Sequence, residues 1–281
     1  MRPEIAQGKA EQRTADEVPG RIPEGCRALV TGSTGGLGLA IAEGLARAGA
    51  SVMLHGLDDG EKVEPLRHRL AEAAGTEIAY HCADLSSQAG VDGLVDNACR
   101  RLGGIDILVN NAVVRHFAPI VDFPGESWET SLAVNLSAPF YAIRRLLPSM
   151  RQSNYGRIFN ITSVYGLRGT TDRVGYVATK SGLLGLTRAV ALENLDRDVT
   201  CHCICPGSVL TPGTEDRVTR IMTEQNADRE QAERIFLEGK QPGGSFVPPQ
   251  SVSALLVFLC GPVARDMTGA MLPVEGGWLA S

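Results

Sequence analysis

No apolar run in this chain approaches the ~18 residues that a membrane-spanning helix needs, which argues against a helical span. There is no surplus of positive charge. Lys and Arg number 27 against 32 Asp and Glu, for a net charge of -5. With a pI of about 5.6, a general grip on nucleic acid is not expected, because such domains usually carry a basic face and a pI above ~9. A disulfide framework is missing too: seven cysteines, an odd number in 281 residues, fit reduced thiols better. The first 25 residues have no apolar core and carry acids, unlike a signal or transit peptide, so a cytoplasmic protein is the expectation. Glycine, in contrast, is abundant, at 32 residues against a usual ~7%. With 43% hydrophobic and 21% charged residues the chain reads as globular, and its length fits one α/β domain with trimmings.

Residues 1–25 read as a polar, solvated arm punctuated by Pro3, Pro19 and Pro23. An arm packed on a neighbouring subunit is the other reading. From Cys26 the pattern becomes regular. Short apolar runs at 27–31, 51–55, 77–81, 105–109, 157–161, 199–204 and 270–274 predict strands. Helical patterns fall between them at 37–49, 61–74, 88–102, 126–151, 174–194 and 251–260, and Pro139 must bend or start a helix. Apolar strands without polar alternation are buried on both faces. The expected fold is therefore α/β: a single doubly wound, Rossmann-like parallel sheet of about seven strands, with helices on both faces. Ligands of such sheets bind beyond the carboxyl ends of the strands. A polar stretch, 207–249, interrupts the alternation and is expected to act as a substrate lid, with a helical centre at Asp228–Leu237.

Thr31-Gly32-Ser33-Thr34-Gly35-Gly36-Leu37-Gly38 lies between the first strand and the first helix. Glycines let the backbone turn sharply and let a pyrophosphate approach the amides. The following helix presents free N–H groups and a positive dipole end to that anion. The spacing is T-G-x-x-x-G-x-G rather than G-x-G-x-x-G.

Here the sequence resembles the short-chain dehydrogenase/reductase family, over roughly residues 26–281. The other landmarks follow in order: Asp84-Leu85, Asn110-Asn111-Ala112, Asn135, Ser163, Tyr176-Val-Ala-Thr-Lys180, and Pro206-Gly207 with Thr211. The resemblance implies an NAD(P)-dependent oxidoreductase interconverting a secondary alcohol and a ketone. A free tyrosine has a pKa of ~10, too high for a good base near neutrality. Lys180 lies four residues after Tyr176, on the same helix face, and a nearby ammonium favours phenolate. The resemblance makes Tyr176 the general acid/base and gives Ser163 the substrate oxygen. Lys180 also holds the nicotinamide ribose, and Asn135 assists a proton relay.

For the cofactor, the resemblance assigns Gly32, Ser33, Thr34, Gly36, Leu37 and Gly38, with Asp84 and Leu85 by the adenine. Asn110 is expected near the adenosine ribose, with Asn111 and Ala112 following, and Pro206, Gly207, Val209 and Thr211 reach the nicotinamide end. Where the family usually continues with Gly, Val113 stands. The acid that would grip the ribose falls at Gly56, and no Arg or Lys there offers a partner for a 2′-phosphate. NAD is the expected cofactor, NADP the less favoured one.

Within the family the chain resembles bacterial D-3-hydroxybutyrate dehydrogenases, in Asp106–Ala112, Val121–Pro124, Asn135–Ser137, Ile204–Gly207 and Lys240-Gln-Pro242. The resemblance places substrate contacts at Arg115, Ser163, Tyr165, Arg173, Tyr176, Ser208 and Arg217. The related enzymes carry Gln, His, Lys, Trp and Gln at 115, 165, 173, 208 and 217. Three arginines offer a forked grip on an anion, and loss of the Trp opens volume. A 3-hydroxy or 3-oxo acid, related to or larger than 3-hydroxybutyrate, is the expected substrate. An NADP(H)-linked 3-oxoacyl or bulky-ketone reductase and a catalytically silent dinucleotide-binding regulator are the alternatives.

Cys201-His-Cys-Ile-Cys205 reads as core packing, because alternate residues of a strand share one face and do not converge on a metal. His55, His68, His81 and His116 form no constellation, and Trp128 and Trp278 read as packing residues. The Gly276-Gly277-Trp278 turn resembles a family feature near subunit interfaces, so a homotetramer is expected by analogy.

Overall fold

The computed structural model describes residues 22–281. A strand at Arg27–Val30 (β1) leads through the glycine loop into a helix at Gly36–Arg47 (α1). The unit repeats through β2 (Ser51–Gly56), α2 (Gly60–Ala74), β3 (Ile78–Cys82), α3 (Gln88–Leu102) and β4 (Ile107–Asn110). Next come α4 (Gly125–Leu132) and α5 (Ala138–Ser153), then β5 (Gly156–Ile161), α6 (Val174–Leu192) and β6 (Val199–Pro206). The excursion that follows holds α7 (Pro212–Gln225) and α8 (Arg229–Leu237); α9 (Pro249–Cys260) and β7 (Met271–Val274) complete the body.

The seven strands lie in the order β3-β2-β1-β4-β5-β6-β7, and each neighbouring pair is parallel. This is the doubly wound sheet that the apolar runs predict. Strand alternation splits the core between the two faces. Ala28 and Val30 pack with Ile41 and Leu45 of α1 and Leu256 of α9. Leu29, between them, packs with Leu94 of α3 and Leu146 of α5. Strand order reverses between β1 and β4, which opens a crevice beyond their carboxyl ends.

Four details differ from the sequence pattern. The packed body reaches back to Ile22, which is buried against the α1 side of the sheet with Cys26. The rest of the expected arm, residues 1–21, lies outside the described residues. Pro139 stands in the first turn of α5, as expected, but α5 follows α4 without a break, through a π-turn at Ala133–Ser137 that the sequence pattern does not show. Proline has no N–H for the carbonyl four residues earlier, and its ring crowds that carbonyl, so the turn widens there. That carbonyl belongs to Asn135. The polar excursion contains a second helix, α7, which the pattern misses because it buries only Val218. With Ala232, Phe236 and Leu237 of α8, Val218 makes a small core of its own. Val209 and Val247 bridge the base of the excursion, where the Val247 N–H donates to the Ser208 carbonyl at 2.9 Å.

Cys201, Cys203 and Cys205 are buried along β6. Cys205 packs against Val164 and Trp278. His202, on the opposite face, stacks on Phe159 at 6.1 Å between centroids. All seven cysteines are free thiols.

Candidate active site

The glycine loop is built for close approach. Gly32 and Gly36 adopt φ of 61° and 56°, the left-handed region that side chains disfavour. A Cβ on Gly38 would drive into the Gly32 carbonyl and the Asn111 side-chain amide. That amide donates to the carbonyls of Thr31 and Gly32, each at 2.9 Å. Asn111 therefore braces the loop from the end of β4. His55 braces it from β2: its Nδ1 accepts from the Gly32 N–H at 3.0 Å, and its Nε2 lies 2.9 Å from the Ala83 carbonyl. Because Nδ1 accepts, Nε2 carries the proton and donates. Burial lowers the His55 pKa, which favours this neutral form. No periodicity in the sequence marks His55 for that task.

Helix α1 begins with Gly35 in extended conformation and no side-chain cap, and no acid stands in its first turn. Its free N–H groups and positive dipole end suit a pyrophosphate. The loop's bare backbone and this uncapped helix start fit a dinucleotide.

A cleft of about 520 Å³ runs from this loop across the carboxyl ends of the strands. It gathers Gly32, Gly36, Leu37, Gly38, Asn111 and Ala112 with Pro206, Gly207, Val209 and Thr211. Ser163, Tyr176 and Lys180 line the same space, as do Arg115, Tyr165, Arg173, Ser208 and Arg217. Five residues expected around the cofactor are not in its wall. Ser33 is buried, its hydroxyl donating to the Val30 carbonyl and accepting from the His55 N–H. Thr34 fills the space beside Gly56, where a Cβ would lie 2.8 Å from the Thr34 methyl. The Asp84 carboxylate accepts from the Ser86 N–H and hydroxyl, which lower its pKa. Leu85 is buried in the core under α3. Asn110, expected by the adenosine ribose, is buried and donates to Asn160 on β5 at 2.8 Å.

Ser163 follows β5 and caps a short 3-10 turn, accepting from the Tyr165 N–H at 3.2 Å. Tyr176 sits in the first turn of α6, with Lys180 one turn on; both are buried. The Lys180 ammonium lies 5.7 Å from the Tyr176 ring centroid and donates to the Ile161 carbonyl at 2.6 Å. The Arg115 guanidinium lies 5.4 Å from the same ring. Burial works to raise the phenol's pKa. The charges of Lys180 and Arg115, with hydrogen bonds from Ser163 and Arg115, outweigh it and hold the phenol below its ordinary value. Burial lowers the Lys180 pKa in turn, against the pull of Tyr176. The arrangement can pass a proton at the Tyr176 hydroxyl more readily than a free phenol can.

Asn135 is in place but its side chain is spoken for. Its Oδ1 accepts from the Val114 N–H at 2.9 Å, and its Nδ2 donates to the Val114 carbonyl and to Thr179 on α6. It ties the extension of β4 to the helix that carries Tyr176. Lys240, which the sequence offers only inside the Lys-Gln-Pro landmark, also lines the cleft, with Phe117, Phe236 and Trp278.

A family model described as short chain dehydrogenase matches residues 27–221. The chain is 42% identical to the D-beta-hydroxybutyrate dehydrogenase of Cupriavidus necator over 257 residues, covering 91% of this chain and 98% of that one. It is 39% identical to the D-beta-hydroxybutyrate dehydrogenase of Rhizobium meliloti, covering 90% and 98%. Among solved structures, L-sorbose reductase from Gluconobacter frateurii, complexed with NADPH and L-sorbose, superposes with a TM-score of 0.88 at 28% identity, covering 93% and 99%.

Proposed function

The chain belongs to the short-chain dehydrogenase family and is an NAD(P)-dependent alcohol/ketone oxidoreductase, and we propose that it uses NAD(H) on a 3-hydroxy or 3-oxo acid. The observation that carries the reading is the buried Tyr176 phenol, held between Lys180 and Arg115 beside Ser163, in a cleft that also holds Arg173 and Arg217.

In alcohol oxidation Tyr176, as phenolate, takes the hydroxyl proton; in ketone reduction it returns it. Ser163 donates a hydrogen bond to the substrate oxygen and fixes it beside the phenol. Lys180 keeps the phenol acidic through its charge. Asn135 serves through its backbone carbonyl, which Pro139 leaves without the usual helical donor and open to a relay water. Gly32, Gly36, Leu37 and Gly38 would hold the pyrophosphate, and Pro206, Gly207, Val209 and Thr211 the nicotinamide end. The bound dinucleotide supplies the hydride acceptor or donor. No Arg or Lys follows Gly56 directly, where Leu57, Asp58 and Asp59 stand, and this favours NAD over a 2′-phosphorylated cofactor.

The Arg115 and Arg173 guanidiniums take the substrate carboxylate. The excursion at 207–249 acts as a lid that moves about its bridged base and excludes water. The chain assembles as a homotetramer, by family analogy; Leu192 and Leu195, 69% and 67% exposed, are apolar surface that assembly would cover. Among the described residues no helix is long and apolar enough to cross a membrane, and a cytoplasmic location is part of the proposal.

Absorbance of the reduced nicotinamide tests the reading, with NAD or NADP and a chain-length series of 3-hydroxy acids set against neutral secondary alcohols. Turnover of the acids with NAD is expected. Faster turnover of the neutral alcohols would overturn the acid assignment, and a preference for NADP the cofactor assignment.

A further inference from the structure

Among the described residues, five cationic side chains line the cleft, and no carboxylate does. Lys180 serves the phenol. The remaining four divide by the part of the fold that carries them. Arg115 and Arg173 belong to the body: Arg115 sits over the Tyr176 ring, and Arg173 lies 5.1 Å from the Tyr165 ring and 4.9 Å from that of Phe117. Arg217, on α7, and Lys240, just after α8, belong to the excursion. Both sit over the Phe236 ring, at 5.0 and 3.9 Å. Among the described residues none of the four forms an ion pair with a carboxylate. Aromatic faces carry them instead, and Lys240 also donates to the Phe236 carbonyl; these contacts fix the cations without neutralising them.

Such crowding is unfavourable in the free protein. Burial, then the charges of Arg217 and Arg173, push Lys240 down to about 8. Burial, then Arg173, Arg220 and Arg115, depress Arg217. A single carboxylate on Arg115 and Arg173 relieves only the body pair and leaves the excursion pair facing it uncompensated.

We propose that the substrate carries a second anionic group, which Arg217 and Lys240 bind while its first carboxylate rests on Arg115 and Arg173. A 3-hydroxy or 3-oxo dicarboxylate is its simplest form. The inference rests on the acid-substrate reading and narrows it. The two charges meet two different parts of the fold, so a dianion joins the excursion to the body, and a monoanion engages the body alone. Closure of the cleft is then linked to the second charge by differential binding.

The test compares 3-hydroxyglutarate, its half methyl ester, 3-hydroxypentanoate and 3-hydroxy-4-phosphobutyrate as substrates of the dinucleotide-loaded enzyme. A charge-assisted contact contributes about 1.5 kcal/mol or more, so kcat/KM for the dianions should exceed that for the monoanions by about tenfold or more. The advantage should shrink as salt is raised. Whichever of terminal carboxylate and terminal phosphate is faster identifies the second group. Lys240→Gln and Arg217→Gln should each lower the diacid-to-monoacid ratio. Binding gives a readout independent of turnover: glutarate should raise the melting temperature of the loaded enzyme more than pentanoate, and less so in Lys240→Gln. Equal or faster turnover of the monoacid and the half ester, or a ratio that Lys240→Gln does not move, would overturn the inference and leave the acid-substrate reading standing. If neutral alcohols outrun every acid, the acid-substrate reading itself fails.

Discussion

Tyr176 lies under opposed influences. Its burial favours the neutral phenol, while Lys180, Arg115 and Ser163 favour the phenolate and prevail. Family members are expected to rely on the lysine; here a second cation stands over the ring. Removing it should let the pKa climb back toward the free value of ~10. Alcohol oxidation needs the phenolate, so its kcat/KM should rise with pH and level off above the Tyr176 pKa. In Arg115→Met that rise should move to higher pH, with a neutral alcohol as substrate to separate this effect from carboxylate binding. An unmoved rise would mean that Arg115 does not act on the phenol. Much of this residue-level account was legible in the sequence: Ser163, Tyr176 and Lys180 stood at their spacing, and the three arginines converge on one cleft. His55 and Lys240 were not. Their roles depend on which backbone groups and rings lie opposite in space, and nothing in their local sequence carries that.

At the scale of elements, the glycine loop and α1 act as one unit. Asn111 and His55 hold the loop from both neighbouring strands, so its shape is set before any ligand arrives. A methyl group at Gly38 would collide with backbone that cannot yield cheaply. Overpacking of this kind typically costs about 1–3 kcal/mol. Gly38→Ala should therefore lower the melting temperature and weaken dinucleotide binding, read by calorimetry and by titration of reduced-cofactor fluorescence. A variant with native affinity would show that the pyrophosphate does not approach this turn. The strands and the body helices were legible because each buries an apolar face. Helix α8 was legible too: Asp228 and Gln231 form a capping box at its start, and apolar residues follow. Helix α7 was not, because its apolar face is only Val218, Ile221 and Met222, one turn set in a long polar stretch. The π-turn before Pro139 escaped for another reason. The sequence shows that an α-helical bond must be lost there, but not whether the chain bends or widens to lose it.

For the whole molecule, the parallel sheet buries polar groups along with its apolar strands, and one of them links stability to pH. His202 is fully buried on β6 against Phe159. Burial, opposed by the Met267 backbone carbonyl and reinforced by the Arg157 charge, lowers its pKa to about 4. An unfolded histidine titrates near ~6.5, so between these values the unfolded chain binds the extra proton. Stability should therefore fall as pH drops from about 6.5 toward 4, by up to about 3 kcal/mol from this residue. His55, whose pKa burial also lowers, acts in the same direction. Melting temperatures across this range should show the decline, and His202→Phe should flatten it; an identical slope in the variant would remove His202 as a cause.

The account as a whole turns on the Tyr176 hydroxyl as the group that exchanges a proton with substrate. Its most direct test is the pH dependence of kcat/KM for alcohol oxidation in the native enzyme and in Tyr176→Phe, with dinucleotide binding measured in both. The native profile should rise to a plateau with a pKa below the free phenol's ~10. The variant should bind dinucleotide yet lose about 10²- to 10⁴-fold in turnover, with that rise gone. A phenylalanine variant that keeps native turnover and the same pH profile would contradict the account.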